Sequence, residues 1–195
     1  FAEFQMIFQA FLKASGVGYT CAKPLLYYTA AMAEEYGYET IRLDYGKDIH
    51  SFKGRTPDAL KPVTQLALSR VMPALLDLSA ASYEEVLFIS KSIGTVIACQ
   101  AEKELTLSRP VRHFLMTPIP ATLPYLNNIE GIFFSGTADP YISSEQVREA
   151  ALTHPEKTGI IFEGCNHSLE KKLDTLGNLD RLRQILDCLS SMLAG

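Results

Sequence analysis

Apolar residues along this chain gather in short blocks separated by longer, mixed segments. The block at 86–89, Val-Leu-Phe-Ile, has the length and β-branched content of a buried strand. Blocks of the same kind recur at 4–12, 39–45, 111–116, 131–136 and 159–163. The segments between them carry helical spacing at 24–36, about 60–78, 93–105, 144–152 and 179–193. Thr56-Pro57-Asp58 marks a helix start, and Pro73 is expected to kink or divide the helix that follows. Residues 46–55 contain two glycines and alternating charge with no period, which predicts a surface loop. The block at 4–12 is ambiguous, because Phe1, Phe4, Phe8 and Phe11 also fit a helical period. It also has the look of a signal core, but Glu3 stands where the positive flank of a secretory signal belongs. The run leads straight into a glycine-containing stretch, and that context favours a buried strand.

Strand and helix patterns alternate six times without a run of hairpins. This predicts an α/β fold: one domain over 1–195, with a doubly wound, mainly parallel sheet of about six strands flanked by helices. In such sheets ligands and reactive groups collect outside the carboxyl ends of the strands. The residues that end each strand therefore carry the functional information.

Composition narrows the classes of partner. A net charge of −4 with no basic run argues against nucleic acid, and no apolar stretch is long enough to span a bilayer. Cys21, Cys99, Cys165 and Cys188 show neither C-x-x-C nor zinc spacing, so reduced thiols in a cytoplasmic protein are expected, and no metal site.

Between the strand at 86–89 and the helix from Ile93 lies Ser90-Lys91-Ser92-Ile93-Gly94, with no room for a loop. A strand that reverses directly into a helix needs small residues two before and two after the apex, where backbone segments nearly touch. With Ser92 at the apex these are Ser90 and Gly94; with Ser90 there, one would be Phe88, which the turn does not accommodate. Ser92 is thus the candidate nucleophile, on a strained turn beside a helix N-terminus. The strand at 131–136 runs into Gly136-Thr137-Ala138-Asp139-Pro140, and the last strand into Gly164-Cys165-Asn166-His167-Ser168. A serine, a carboxylate and an imidazole thus stand on one rim in the order Ser92, Asp139, His167. Each piece alone is weak; the combination after those strands is not.

Over nearly its whole length the chain resembles the α/β-hydrolase fold serine hydrolases. The matching pieces are Ser90-Lys91-Ser92-Ile93-Gly94, Gly136-Thr137-Ala138-Asp139 and Asn166-His167. It is most similar to compact, lidless bacterial members with a Gly-x-Gly-Tyr-Thr loop, here Gly16-Val17-Gly18-Tyr19-Thr20, although the family's His-Gly in that loop is Ser15-Gly16 here. The resemblance implies a cofactor-independent hydrolase of carboxylic esters, thioesters or related acyl bonds. In it Ser92 attacks, His167 takes the proton and Asp139 holds the imidazole. The oxyanion hole it implies is the N–H of Ile93 with that of Val17, or alternatively of Gly18. An acyl transferase would use the same triad, and a non-catalytic binding protein of this fold or a flavodoxin-like nucleotide binder are the other classes to consider.

Only residues 117–130 separate the strand at 111–116 from the next, and Pro118, Pro120 and Pro124 leave space for no more than one short helix. An open, shallow site without a lid is expected, walled by Tyr19, Thr20, Met116, Pro118 and Tyr141 and suited to a small acyl substrate. The remaining polar candidates carry less. His113 points from within a strand, His154 precedes a proline, and His50 sits in the charged loop. Lys91 invites a Ser-Lys dyad, but neighbours of an elbow apex point away from it. Gly16-Val17-Gly18 lacks the third glycine and the later acid of a dinucleotide fingerprint.

Overall fold

The computed structural model describes residues 5–11, 22–44, 56–79, 83–105, 107, 110–153 and 158–194. Among them are six strands: β1 (Gln5–Phe11), β2 (Tyr38–Asp44), β3 (Val86–Lys91), β4 (Val111–Met116), β5 (Glu130–Gly136) and β6 (Thr158–Phe162). They alternate with α1 (Pro24–Glu35), α2 (Pro57–Ser79), α3 (Ile93–Leu105), α4 (Ser144–Thr153) and α5 (Thr175–Leu193). Between β4 and β5 the connection is a 3-10 helix, Pro120–Asn128. The strands form a single sheet in the order β2-β1-β3-β4-β5-β6, and every neighbouring pair is parallel. The chain winds outward from β1 to β2, crosses back to β3, and proceeds the other way. The switch point, where such sheets open a crevice, therefore lies between the carboxyl ends of β1 and β3.

Side-chain alternation divides the core between the two faces. Leu87 and Ile89 of β3, with Phe114 of β4 and Phe134 of β5, pack under α1 and α5 against Leu26, Ile185 and Leu189. Val86 and Phe88 face the other way, against Leu68 and Val71 of α2 and Val96 and Ile97 of α3. Further along that second face Leu115 and Phe133 meet Leu126 and Val147. All six residues of β3 are buried, as a central strand covered on both sides requires.

The strands and helices lie where the hydrophobic blocks predict, and β1 is the strand that context favours, second from one edge of the sheet. Two expectations are corrected. Pro73 does not divide α2, which runs unbroken over 23 residues. Pro73 is exposed, as is Ser69 one turn before it, so the carbonyl that loses its partner is on the water side. Helix α5 begins at Thr175 rather than at 179. Its first turn carries an exposed Leu176 and Gly177, which give no amphipathic signal. The predicted loop at 46–55 lies outside the described residues.

Candidate active site

Ser92 occupies the single position between the end of β3 and the start of α3. With one residue to reverse direction, its backbone takes a φ of 59°, a conformation that side chains with a Cβ disfavour. Neighbouring groups hold it there. The Ser92 N–H donates to the Met116 carbonyl at 3.0 Å. Its own carbonyl accepts the Thr95 N–H at 3.0 Å and the Thr95 hydroxyl at 2.6 Å. Thr95 Oγ1 lies 2.6 Å from Thr122 Oγ1, which ties the turn to the 3-10 helix. Ser90 and Gly94, the small flanking residues, are both buried. Such an apex costs roughly 1–3 kcal/mol and persists only where packing over-determines it.

Asp139 stands three residues beyond β5, and its side chain is fully buried. Its Oδ1 accepts the Tyr141 N–H at 2.9 Å, and its Oδ2 lies 2.6 Å from His167 Nδ1. His167 Nε2 lies 2.7 Å from Ser92 Oγ. An ionised carboxylate only accepts, so Nδ1 carries the ring proton, and Nε2 is left to accept the Ser92 hydroxyl. Burial holds the imidazole below the usual histidine range; Asp139 opposes this and the Lys91 charge adds to it. At neutral pH the ring is therefore a free base facing a hydroxyl.

The turns that carry Asp139 and His167 are locked to each other through the backbone. Thr137 and Ala138 donate N–H groups to the carbonyls of Phe162 and Cys165, at 3.1 and 3.0 Å. A Cβ on Gly136 would come within 2.1 Å of the Cys165 carbonyl oxygen, so glycine there is what permits the approach. The His167 turn is braced by Asn166, whose Oδ1 accepts the N–H of Ser168 at 2.7 Å and that of Glu170 at 3.3 Å.

Lys91 points away from Ser92, as expected of a neighbour of the apex. Its Nζ donates to the His167 carbonyl oxygen at 2.6 Å and to Thr117 Oγ1 at 3.0 Å. The His167 imidazole lies within hydrogen-bond reach of the Ser92 hydroxyl. Nothing in the order of residues announced the contact with Thr117, or the brace of Thr95 and Thr122, because each joins positions more than 25 apart.

The other expected site residues divide. Ile93 is the first residue of α3, where backbone N–H groups lack intrahelical partners and the helix dipole is positive. Val17, Gly18, Tyr19 and Thr20 lie outside the described residues, as do His50 and His154. The Tyr141 ring packs on His167 with centroids 4.4 Å apart. Met116 does not border an opening: it shares the face of Phe114, and alternation buries it completely in the cluster under α1 and α5. Pro118 is likewise buried. His113 is fully buried, stacked on Phe88 with its Nε2 2.8 Å from Glu102 Oε2, a packing role. Among the described residues no cluster of three or more His, Cys, Asp or Glu side chains has metal-binding geometry. None of the described helices is long and apolar enough to cross a membrane.

No family model and no curated protein sequence matches the chain. Solved structures do. An esterase from Pyrococcus furiosus superposes with a TM-score of 0.62 at 13% identity, covering 96% of this chain and 82% of its own. A homologue of the alpha-beta serine hydrolases from Coxiella burnetii gives 0.63 at 11%, covering 93% and 84%. An α/β serine hydrolase without a lid, from Xanthomonas campestris, gives 0.53 at 14%, covering 92% and 80%.

Proposed function

We propose that this chain, which has the compact α/β-hydrolase fold without an inserted lid domain, is a cofactor-independent serine hydrolase acting on carboxylic esters, thioesters or related acyl bonds. The observation that carries the reading is the hydrogen-bonded line from Asp139 through His167 to Ser92, ending on a strained residue at the head of a helix. The named activities of the structural neighbours, an esterase and serine hydrolases, support it.

The chemistry follows from the line. A serine hydroxyl is a weak nucleophile until a base takes its proton, and His167 Nε2 lies 2.7 Å from Ser92 Oγ. As Oγ bonds to the acyl carbon, the proton moves to His167, and Asp139 stabilises the imidazolium that forms. The carbonyl oxygen becomes an oxyanion, met by the Ile93 N–H and by one N–H of the 16–19 loop, from Val17 or Gly18. A donor of this kind is worth roughly 2.7–4 kcal/mol of activation energy. His167 then returns its proton to the leaving group, and water activated by the same imidazole releases the acid from Ser92. Tyr141, packed on the His167 ring, forms part of the wall. The 3-10 helix Pro120–Asn128 occupies the connection where a lid would be inserted. An uncovered site buries little of a long chain, so short acyl groups are the substrates this reading favours. The uncrosslinked Cys99, Cys165 and Cys188 suit work in a reducing cytoplasm.

Labelling with a fluorophosphonate probe tests the assignment. Wild-type protein is expected to label at one serine, and Ser92→Ala to abolish both labelling and ester turnover while the thermal melt stays nearly unchanged. Labelling that survives in Ser92→Ala would overturn it. Profiling p-nitrophenyl esters from acetate upward tests the substrate: activity is expected to fall beyond about eight carbons.

A further inference from the structure

Lysine is among the residues least often buried whole, because the ammonium gives up its hydration. Lys91 is only 4% exposed, one peptide bond before Ser92. Strand alternation places it on the face of Leu87 and Ile89, under α1 and α5, whereas α3 packs on the opposite face. Its amine spans three separate pieces of the rim. It belongs to β3, it donates at 3.0 Å to Thr117 Oγ1 just past β4, and it donates at 2.6 Å to the His167 carbonyl beyond β6. Thr117 is itself fixed, with a φ of 47° and its N–H donating to the Phe134 carbonyl at 2.7 Å. The two ring nitrogens of His167 are engaged by Asp139 and Ser92. The grip on its main chain therefore sets where the ring pivots.

We propose that Lys91 is a positioning residue of the triad: anchored on Thr117, its Nζ holds the His167 main chain so that the imidazole stays between Asp139 and Ser92. The catalytic consequence rests on the hydrolase reading; the tether does not. The amine also acts through its charge, which faces Asp139, Glu170 and His167. Burial pushes the Lys91 pKa down to about 7, against the pull of Asp139 and Glu170, so the cation is present mainly on the acid side of neutrality. There it disfavours a second positive charge on the His167 ring.

Three variants separate this role from simple packing. Lys91→Met keeps the length of the apolar stem but removes donor and charge. It is expected to lower kcat about 10²-fold, the loss typical of a 1 Å misplacement, with little change in KM. Lys91→Arg, which restores a charged donor, is expected to recover part of that loss. Thr117→Val removes only the anchor hydroxyl at nearly constant volume, and a smaller fall in kcat is expected; this variant decides the matter should Lys91→Met fail to fold. The His167 ring-proton titration, followed by NMR, gives a readout that needs no turnover. Its pKa is expected to rise in Lys91→Met, because a neighbouring positive charge is gone. A folded Lys91→Met with unchanged kcat and an unmoved His167 titration, or in its place a folded Thr117→Val with unchanged kcat, would overturn the inference. Loss of the Ser92-dependent labelling described above would instead overturn the hydrolase reading and leave the titration to judge the tether.

Discussion

The two ends of the sheet both bury polar groups, and they do so in opposite ways. At the amino-terminal end Arg112 of β4 donates to the carboxylate of Glu85 through Nε and through Nη2, the latter at 2.8 Å. Tyr38 of β2 donates to the same carboxylate at 3.0 Å, and Arg112 reaches the Met192 carbonyl of α5. Charge meets opposite charge. Burial opposes the guanidinium charge, but Glu85 and Tyr38 outweigh it and hold Arg112 above its usual range. Burial and the adjacent carboxylate push the Tyr38 phenol up to about 12. Arg112 and Tyr38 keep their ordinary protonation states at neutral pH, and the cluster joins β2, the residue before β3, β4 and α5. At the carboxyl-terminal end the groups are pushed the other way. Lys91 and His167 are held toward their neutral forms, and Ser92, Thr117 and Leu169 all have positive φ. One end is arranged for cohesion; the other accepts strain and desolvation, which is where reactive groups are made.

The largest effect expected from breaking this contrast is a double dissociation. Ser92→Ala is expected to reduce ester turnover by about 10⁴-fold or more and to leave the urea midpoint nearly unmoved. Arg112→Met, which strands the partly buried Glu85 carboxylate, is expected to cost about 1–3 kcal/mol in urea unfolding while the folded fraction keeps its kcat. An Arg112 variant that loses activity without losing stability would erase the distinction between the two ends. Gly136→Ala addresses the contact that brings the Asp139 and His167 turns together. The added Cβ must displace the Cys165 backbone, so about 1–3 kcal/mol of stability and at least tenfold in kcat are expected to be lost together.

Lys91 sharpens the comparison through pH. Its folded pKa, about 7, lies below the ordinary 10.5, so the unfolded chain binds more protons than the folded one between those values. The stability cost of the buried amine is therefore complete below about pH 7 and is relieved as pH rises toward 10.5. Relative to wild type, Lys91→Met is expected to gain stability at pH 6 and to lose that gain by pH 10, read as the difference in urea midpoints. A difference independent of pH would show that the amine is not held toward its neutral form. The smallest effect is in the acid limb of kcat/KM. In the proposed mechanism His167 must be neutral to act as base, and burial holds it below 6.5, so activity is expected to decline only as pH falls through a midpoint below that value. A midpoint above 6.5 would mean that Asp139 outweighs burial and Lys91.

Much of this was written locally. The block at 86–89 joined directly to a helix left one residue to turn the chain, and only Ser92 had small neighbours on both sides; that is a steric condition within five residues. The alternation of strands and helices set a parallel sheet, and parallel strands all bring their carboxyl ends to one rim, so Asp139 and His167 had to stand near Ser92. The tertiary structure decided what depends on distance across strands. The 2.6 and 2.7 Å contacts that give His167 its tautomer, the burial of Met116 where a pocket wall was expected, and the turn of Lys91 onto the His167 carbonyl all depend on which side chain meets which across the sheet. Strand alternation puts Lys91, two residues on, on the same face as Ile89, and the sequence alone shows that much. What waits there to accept its proton is supplied by residues 26 and 76 positions away, and only folding brings them within reach.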